Sequence, residues 1–220
     1  MNWPYIEQVL PRFIDAAGLT IWLALLAILF SLLIGLFCAL AMTYPCKKTQ
    51  FLVRGYIELS RNTPLLIQVF FLYFGLSKLG VKWDGFTCAL VGLSFLGGSY
   101  MAEAIRGGLQ AVAKGQIESA QSLGLNQWQV LRYVVLPQAI GVASPAIGAN
   151  CLFLIKETSV VSAIAVAELM FMAKEVIGLD YKTNEALFLL VAFYFVMLLP
   201  VSLLVRYLER RTRRAKYGVQ

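Results

Sequence analysis

The chain has 220 residues, of which 60% are hydrophobic and only 14% charged, against roughly 25% charged in soluble domains. A globule of this size cannot hide so much apolar surface from water, and the mean hydropathy of +0.74 agrees, so a soluble enzyme and a disordered chain are both excluded. Histidine is absent, which removes Ser-His-Asp and Cys-His catalysis and imidazole metal sites; the net charge of +7 is spread between apolar runs and is no nucleic-acid footprint.

From the N-terminus, Met1 to Glu7 carries no basic region before the first apolar run, so no removable signal is expected. A spanning helix needs about 20 mostly apolar residues. Spans are expected near 16–46, 56–77, 85–105, 133–155 and 186–207, with a short helix over 158–167, about half a bilayer deep, after the fourth. The expected fold is all-α and integral to the membrane: one domain over 1–220 with five transmembrane helices and a cytoplasmic loop over 106–133. Pro64 and Pro137 are expected near helix starts, where the missing N–H does no harm. Pro145 and Pro200 fall inside spans, where each should kink the helix and free a carbonyl. Cys38, Cys46, Cys88 and Cys151 lie in or beside apolar runs and form no C-x-x-C pair, so they read as reduced packing residues with no metal role.

Basic residues orient the chain. Lys47, Lys48, Arg54, Arg61, Arg106, Lys114, Arg132, Arg206, Arg210, Arg211, Arg213, Arg214 and Lys216 fall on one side, against Arg12, Lys78, Lys82, Lys174 and Lys182 on the other. The first side is therefore expected to be cytoplasmic, with the N-terminus outside and the C-terminus inside. The same excess favours contact with anionic lipid.

The loop over 106–133 is too long and too patterned for a connector. Ile117, Ala120, Leu123 and Gly124 fall on one helical face, Trp128, Leu131 and Val135 continue the apolar positions, and Glu118 suits the first turn of a helix. Ala120 and Gly124 leave a place where another surface can approach closely. Such a helix either docks a partner protein or lies on the membrane surface.

Glu118-Ser119-Ala120, Gly124 and Leu136-Pro137, in that spacing, resemble the E-A-A–x3–G–x9–I–x–L–P signature of ABC importer membrane subunits, with Ser119 in place of Ala and Val134 in place of Ile. The match extends further. Residues Arg61 to Gln68 resemble the R-G-T-P-L-L-x-Q segment of polar amino-acid permeases, with Asn62 in place of Gly. Tyr100 to Gly108 resembles Y-x-A-E-x-x-R-G-G, and Ile155 to Ser159 resembles L-K-[DE]-T-S. Lys114-Gly115-Gln116 and Leu136-Pro137-Gln138-Ala139 match as well. The resemblance implies a type I permease fold and a second permease chain, identical or paralogous. It also implies two ABC ATPase subunits that hold the ATP and Mg, and an extracytoplasmic amino-acid-binding protein. The expected location is the bacterial inner membrane. Residues 115–137 would couple to the ATPase through Gly115, Glu118, Ser119, Ala120, Leu123, Gly124, Leu136 and Pro137. The chain has no G-x-x-x-x-G-K-[ST] phosphate loop of its own, so it is expected to bind no cofactor and to catalyse no reaction.

Polar residues inside spans are costly and mark paths or pairs. Asn150, Lys156, Glu157, Ser159, Gln68, Tyr100 and Glu103 are the expected substrate contacts, with Leu65 from the Arg61–Gln68 segment and Ser99 beside Tyr100. Lys156 and Glu157 either neutralise each other at the end of the fourth span or face the path. Glu103 and Arg106, three apart, suit a helical ion pair. The resemblance implies that the position of Asn150 often carries Glu in relatives of that permease family, where a carboxylate would favour a basic amino acid. An amide there either bonds a neighbouring helix or selects a polar neutral or acidic amino acid such as Gln, Glu or Asp. A basic amino acid, cystine or an opine is the alternative cargo, and a passive channel subunit is the alternative class.

Overall fold

A computed structural model describes residues 1–43 and 46–217, with side chains as far as Arg210. Tyr44 and Pro45, at the end of the expected first span, lie outside the described residues, as do the side chains of Arg211, Arg213, Arg214 and Lys216.

Every regular element among the described residues is helical. The elements are α1 (Trp3–Thr43), α2 (Lys47–Arg61), α3 (Leu65–Lys78), α4 (Gly85–Gln110), α5 (Lys114–Ser122), α6 (Gln127–Ile164), α7 (Leu169–Asp180) and α8 (Thr183–Tyr217). Four of them, α1, α4, α6 and α8, are long and apolar enough to cross a membrane, and α3 is a shorter apolar helix. At 1.5 Å per residue, α1 is about 60 Å long, twice a hydrocarbon core of about 30 Å.

The expected first span captured only part of α1, which starts thirteen positions earlier, at Trp3. Glu7, Arg12 and Asp15 interrupt the apolar pattern there, but Ile6, Val9, Phe13, Ala16 and Ala17 are buried against α7 and the start of α8. Tertiary packing, not hydropathy, holds this half of the helix. The 12-residue α7 had no counterpart among the expected elements. Its apolar core is too short to read as a span, and its ends carry Glu168 and Asp180.

α1 and α4 run parallel. A Cβ on Gly35 would sit 2.5 Å from Met101 Cβ, and one on Gly97 would sit 2.2 Å from Ser31 Oγ. Small residues let these two backbones touch, the usual basis of helix association where hydrophobic burial supplies no difference. Because α1 and α4 are parallel, the chain must return between them. The expected second span, 56–77, does this as two helices rather than one. Val53 and Ile57 of α2 pack beside Ala102, Tyr56 and Ser60 donate to Phe95 O at 2.6 and 3.1 Å, and Val69 of α3 lies against Gly92. The break falls at Asn62–Pro64. Pro64 caps α3 with φ −58 and ψ 138, a conformation that ends one helix and starts the next. Gln68 satisfies the freed backbone, donating from Nε2 to Ser60 O at 3.0 Å and to Thr63 O at 2.9 Å.

α6 begins at Gln127 rather than near 133. Asn126 and Gln129 form a reciprocal capping box at its start. Pro137 stands in the first turn of the regular α-helical run Leu136–Glu157, near a helix start as expected. The π-helical turn Leu131–Val135 directly precedes it and takes up the missing hydrogen bond. At Pro145, Ser144 Oγ donates to Gly141 O, the carbonyl that the proline leaves free, at 3.4 Å. α6 ends in a 3-10 turn, Thr158–Ile164, shorter than the half-helix expected over 158–167. Ala165, left-handed at φ 57, closes it. Cys38 and Cys88 are buried and Cys151 is half-buried, but Cys46 is exposed, so it is not a packing residue.

Candidate functional site

The loop over 106–133 folds as a short helix closed by a tight turn. α5 starts after Ala113 and ends at a turn whose geometry requires Gly124. With φ +81, Gly124 donates its N–H to Gln121 O at 2.9 Å, and Leu125 donates to Ala120 O at 3.2 Å. These two bonds are the paired closure of a helix end that only a residue free of a Cβ adopts cheaply. Ser119 Oγ donates to Gly115 O at 2.7 Å within the helix, and Glu118 and Gly115 are exposed. Ala120 is the anchor of α5: it is buried at 5% exposure, so it faces this chain and not an approaching surface. The outward face is apolar instead. Leu123 is 83% and Trp128 66% exposed, and among the described residues, its chain neighbours aside, no atom lies within 4 Å of where a Gly124 Cβ would stand. Leu136 and Pro137, in α6, are exposed.

Lys47 and Lys48 fall at the start of α2, Arg106 near the end of α4, Lys114 at the start of α5 and Arg132 near the start of α6. Between α2 and α4 lies a polar cavity of about 240 Å³ lined by Met42, Arg54, Ile57, Glu58, Arg61, Glu103 and Arg106.

The expected substrate residues do not form one cluster. Glu103 is engaged by Arg106, whose Nε and Nη2 donate to its two carboxylate oxygens at 2.9 and 2.5 Å. Ser99 Oγ donates to Leu96 O at 2.7 Å, lies 3.1 Å from Ser60 Oγ and is buried. Leu65 is buried, at 5% exposure, in the core. Gln68 is committed through its Nε2 to the helix break, although its Oε1 is buried with no partner among the described residues. Tyr100 bridges three helices: the Arg61 guanidinium lies 5.1 Å from its ring centroid, and Phe153 of α6 is 5.3 Å away, ring to ring. Asn150 is half-buried one turn before Phe153, and its amide has no hydrogen bond among the described residues. Lys156 is exposed and Glu157 half-buried; no ion pair within 4.0 Å joins them, so mutual neutralisation is not what places them. Ser159 Oγ donates to Lys156 O at 2.9 Å.

Two groups in these surroundings were not among the expected contacts. Arg61 reaches Tyr100 from a neighbouring helix, a contact without sequence periodicity. Glu168 is fully buried and caps α7, accepting from Met170 N at 2.9 Å and Phe171 N at 2.8 Å. Burial pushes its carboxyl up to about 7. A lone acidic residue directly before the apolar run Leu169 to Met172 was the available signal.

A family model described as "Binding-protein-dependent transport system inner membrane component" matches residues 31–214. The chain is 34% identical over 214 residues to the "Glutamine transport system permease protein GlnP" of Escherichia coli (strain K12), covering 96% of this chain and 98% of that one. It is 34% identical over 215 residues to the "Probable glutamine ABC transporter permease protein GlnM" of Bacillus subtilis (strain 168), covering 98% and 100%. It is 33% identical over 220 residues to the "Nopaline transport system permease protein NocM" of Agrobacterium fabrum, covering 95% and 91%. Among solved structures, "an amino acid ABC transporter with histidines" superposes with a TM-score of 0.89 at 36% identity, covering 96% of this chain and 99% of that one.

Proposed function

Because this chain belongs to the family of binding-protein-dependent transport system inner membrane components, we propose that it forms half of the path of an ATP-driven amino-acid importer and is coupled to its ATPases through α5. It is a multi-pass ABC permease subunit and is not itself catalytic. A second permease chain completes the path, two ATPase subunits hold ATP and Mg, and an external binding protein delivers the solute. The basic end carrying α5 faces the cytoplasm, which puts the N-terminus outside. With that orientation, α1, the broken α2–α3 segment, α4, α6 and α8 make five crossings.

One observation carries the coupling: α5 is held by the single buried Ala120 while Leu123 and Trp128 stand exposed beside the Gly124 turn. Large apolar side chains at an aqueous rim are stable when a partner groove covers them. ATP-driven closure of the two ATPases then moves α5, and α6 follows because its capping box starts four residues after α5 ends.

The cargo is a polar neutral or acidic amino acid, with glutamine first. Support comes from the amide of Asn150, unbonded among the described residues and half-buried one turn before Phe153, and from relatives named for glutamine. The relative named for nopaline keeps an opine as the second reading.

Co-purification from membranes tests the coupling. The chain should bring down an ATPase and a second permease, and Leu123→Asp should release the ATPase at least tenfold while leaving the permease pair intact. Undiminished ATPase retention by that variant would overturn the role of α5.

A further inference from the structure

Two residues at the α7–α8 junction carry local costs that nothing in the chain offsets. Gly178 lies inside α7, two positions before its end, where glycine is the poorest helix former after proline. Among the described residues, its chain neighbours and its own helix backbone aside, no heavy atom lies within 4 Å of where its Cβ would stand. No close approach within the chain therefore asks for a glycine there. Tyr181 closes α7 in the left-handed conformation, φ 55 and ψ 29, a place that usually takes Gly or Asn. Its side chain is 85% exposed, so packing on its own chain does not hold it there.

The base beneath Tyr181 is fixed. Tyr5 of α1 donates its hydroxyl to the Asp180 carboxylate, and Lys182 Nζ stands 5.9 Å from the centroid of the same ring. Both neighbours of Tyr181 thus rest on one side chain. Arg12 donates to Glu175 at 2.8 Å, and Asn2 N donates to Glu185 at 2.8 Å, so α1 also clamps the middle of α7 and the start of α8. A strained residue that its surroundings hold in place, with no packing of its own, marks a surface built for something else.

Lys174, Gly178 and Tyr181 follow one another at i, i+4 and i+7, one stripe of the helix. α1 takes up Glu175, Asp180 and Glu185, whereas Lys174 is exposed and has no carboxylate within 4.0 Å among the described residues. The stripe offers a cation, a bare patch of backbone and an aromatic ring, with Leu179 69% exposed at its edge. Tyrosine on a rigid base gives a large contact for little lost side-chain entropy.

We propose that Lys174, Gly178 and Tyr181 form a docking stripe for the external binding protein, which supplies a carboxylate to Lys174 and an apolar hollow to the Tyr181 ring. The choice of partner rests on the importer reading above. α4 runs parallel to α1 and ends towards α5, and the junction packs on the start of α1, so the stripe stands at the end away from the ATPases. A lipid headgroup layer accepts an interfacial aromatic in many orientations and does not call for a clamped left-handed turn.

The test uses the complex with its ATPase in lipid nanodiscs and its purified binding protein loaded with glutamine. Tyr181→Gly removes the strain together with the ring, and Gly178→Gln puts a good helix former over the bare backbone. Each should melt at or above the wild-type temperature, yet weaken binding about tenfold. Lys174→Glu should weaken it too, and more so at low salt. Wild-type affinity in all three variants overturns the stripe and leaves the importer reading standing. Lost affinity with a lowered melting point in both Tyr181→Gly and Gly178→Gln gives these residues a structural role and overturns it as well. Gly178→Cys, labelled with a membrane-impermeant maleimide, should be protected when the binding protein is added; labelling that is blocked equally without it assigns the stripe to lipid. A wild-type complex that binds no loaded binding protein refutes the importer reading itself, and the stripe with it.

Discussion

Gly35→Ala should be the most damaging single-methyl change in the bundle. The added Cβ would stand 2.5 Å from Met101 Cβ, 2.8 Å from Ala102 N and 2.8 Å from Met101 C. Two of these are backbone atoms and cannot swing aside. Carbon atoms pack best at about 3.5–4.0 Å, so α1 and α4 must part by about 1 Å. A gap of that size forfeits a quarter to a half of each contact across it, and the row it opens includes Ser31 on Gly97. Overpacking of this kind costs about 1–3 kcal/mol; with two backbone contacts, about 3 kcal/mol is expected, or a fall in Tm of about 6–12 °C for a chain of this length. Gly18→Ala is the control. It makes the same change in the same helix, but among the described residues no heavy atom beyond its own helix backbone and chain neighbours lies within 4 Å of its Cβ, so helix propensity alone acts and stabilises by up to about 1 kcal/mol. Thermal unfolding in detergent, followed by helical circular dichroism, measures both. Equal midpoints for the two variants would refute the direct α1–α4 backbone contact.

Further outcomes follow from single residues. Gln68→Leu keeps the bulk but strands Ser60 O and Thr63 O at the α2–α3 break, which should cost about 1–3 kcal/mol per lost partner in the same unfolding assay. Gly124→Ala forces a Cβ into φ +81 and should weaken the α5 turn by about 1 kcal/mol. Gly124→Asn tolerates that conformation, so any loss of ATP-driven uptake that it causes reports crowding of the partner surface, separated by comparing uptake with amide exchange in α5. Glu168 binds its proton more tightly folded, at about 7, than at its ordinary 4.5. Stability should therefore fall by about 3 kcal/mol as pH rises from about 4.5 to 7 and level off above, and Glu168→Gln should remove that slope in a pH series of melting curves. Arg12→Ala breaks a 2.8 Å pair with Glu175, but both groups are partly exposed, so the melting point should move by less than the equivalent of about 1 kcal/mol.

Hydropathy revealed the long crossings because their apolar runs are continuous, as over 16–43 and from Ala186 onward. It failed where tertiary contacts do the holding. The N-terminal half of α1 carries Glu7, Arg12 and Asp15 and looks like a polar lead-in, yet its other face is buried under α7 and α8. The α2–α3 break was marked by Pro64, but an apolar count that runs past Arg61 and Glu58 cannot tell a broken crossing from a whole one. The turn that closes α5 was legible because Gly124 is required by local backbone geometry, which depends on sequence alone. Its inward anchor was not, since periodicity puts Ala120 and Leu123 on one apolar face without saying which is covered. Arg61 over Tyr100 and Glu168 beneath Tyr194 join residues 39 and 26 positions apart, and no spacing rule reaches that far.

The most direct test is uptake of labelled glutamine into vesicles that hold the assembled complex, with ATP inside and binding protein outside. The coupling of this chain to ATP hydrolysis predicts accumulation against the gradient that requires both ATP and the binding protein, and that stops with Leu123→Asp. Glutamine equilibrating across the membrane without ATP, and no less in that variant, would contradict it and make the chain a passive pore.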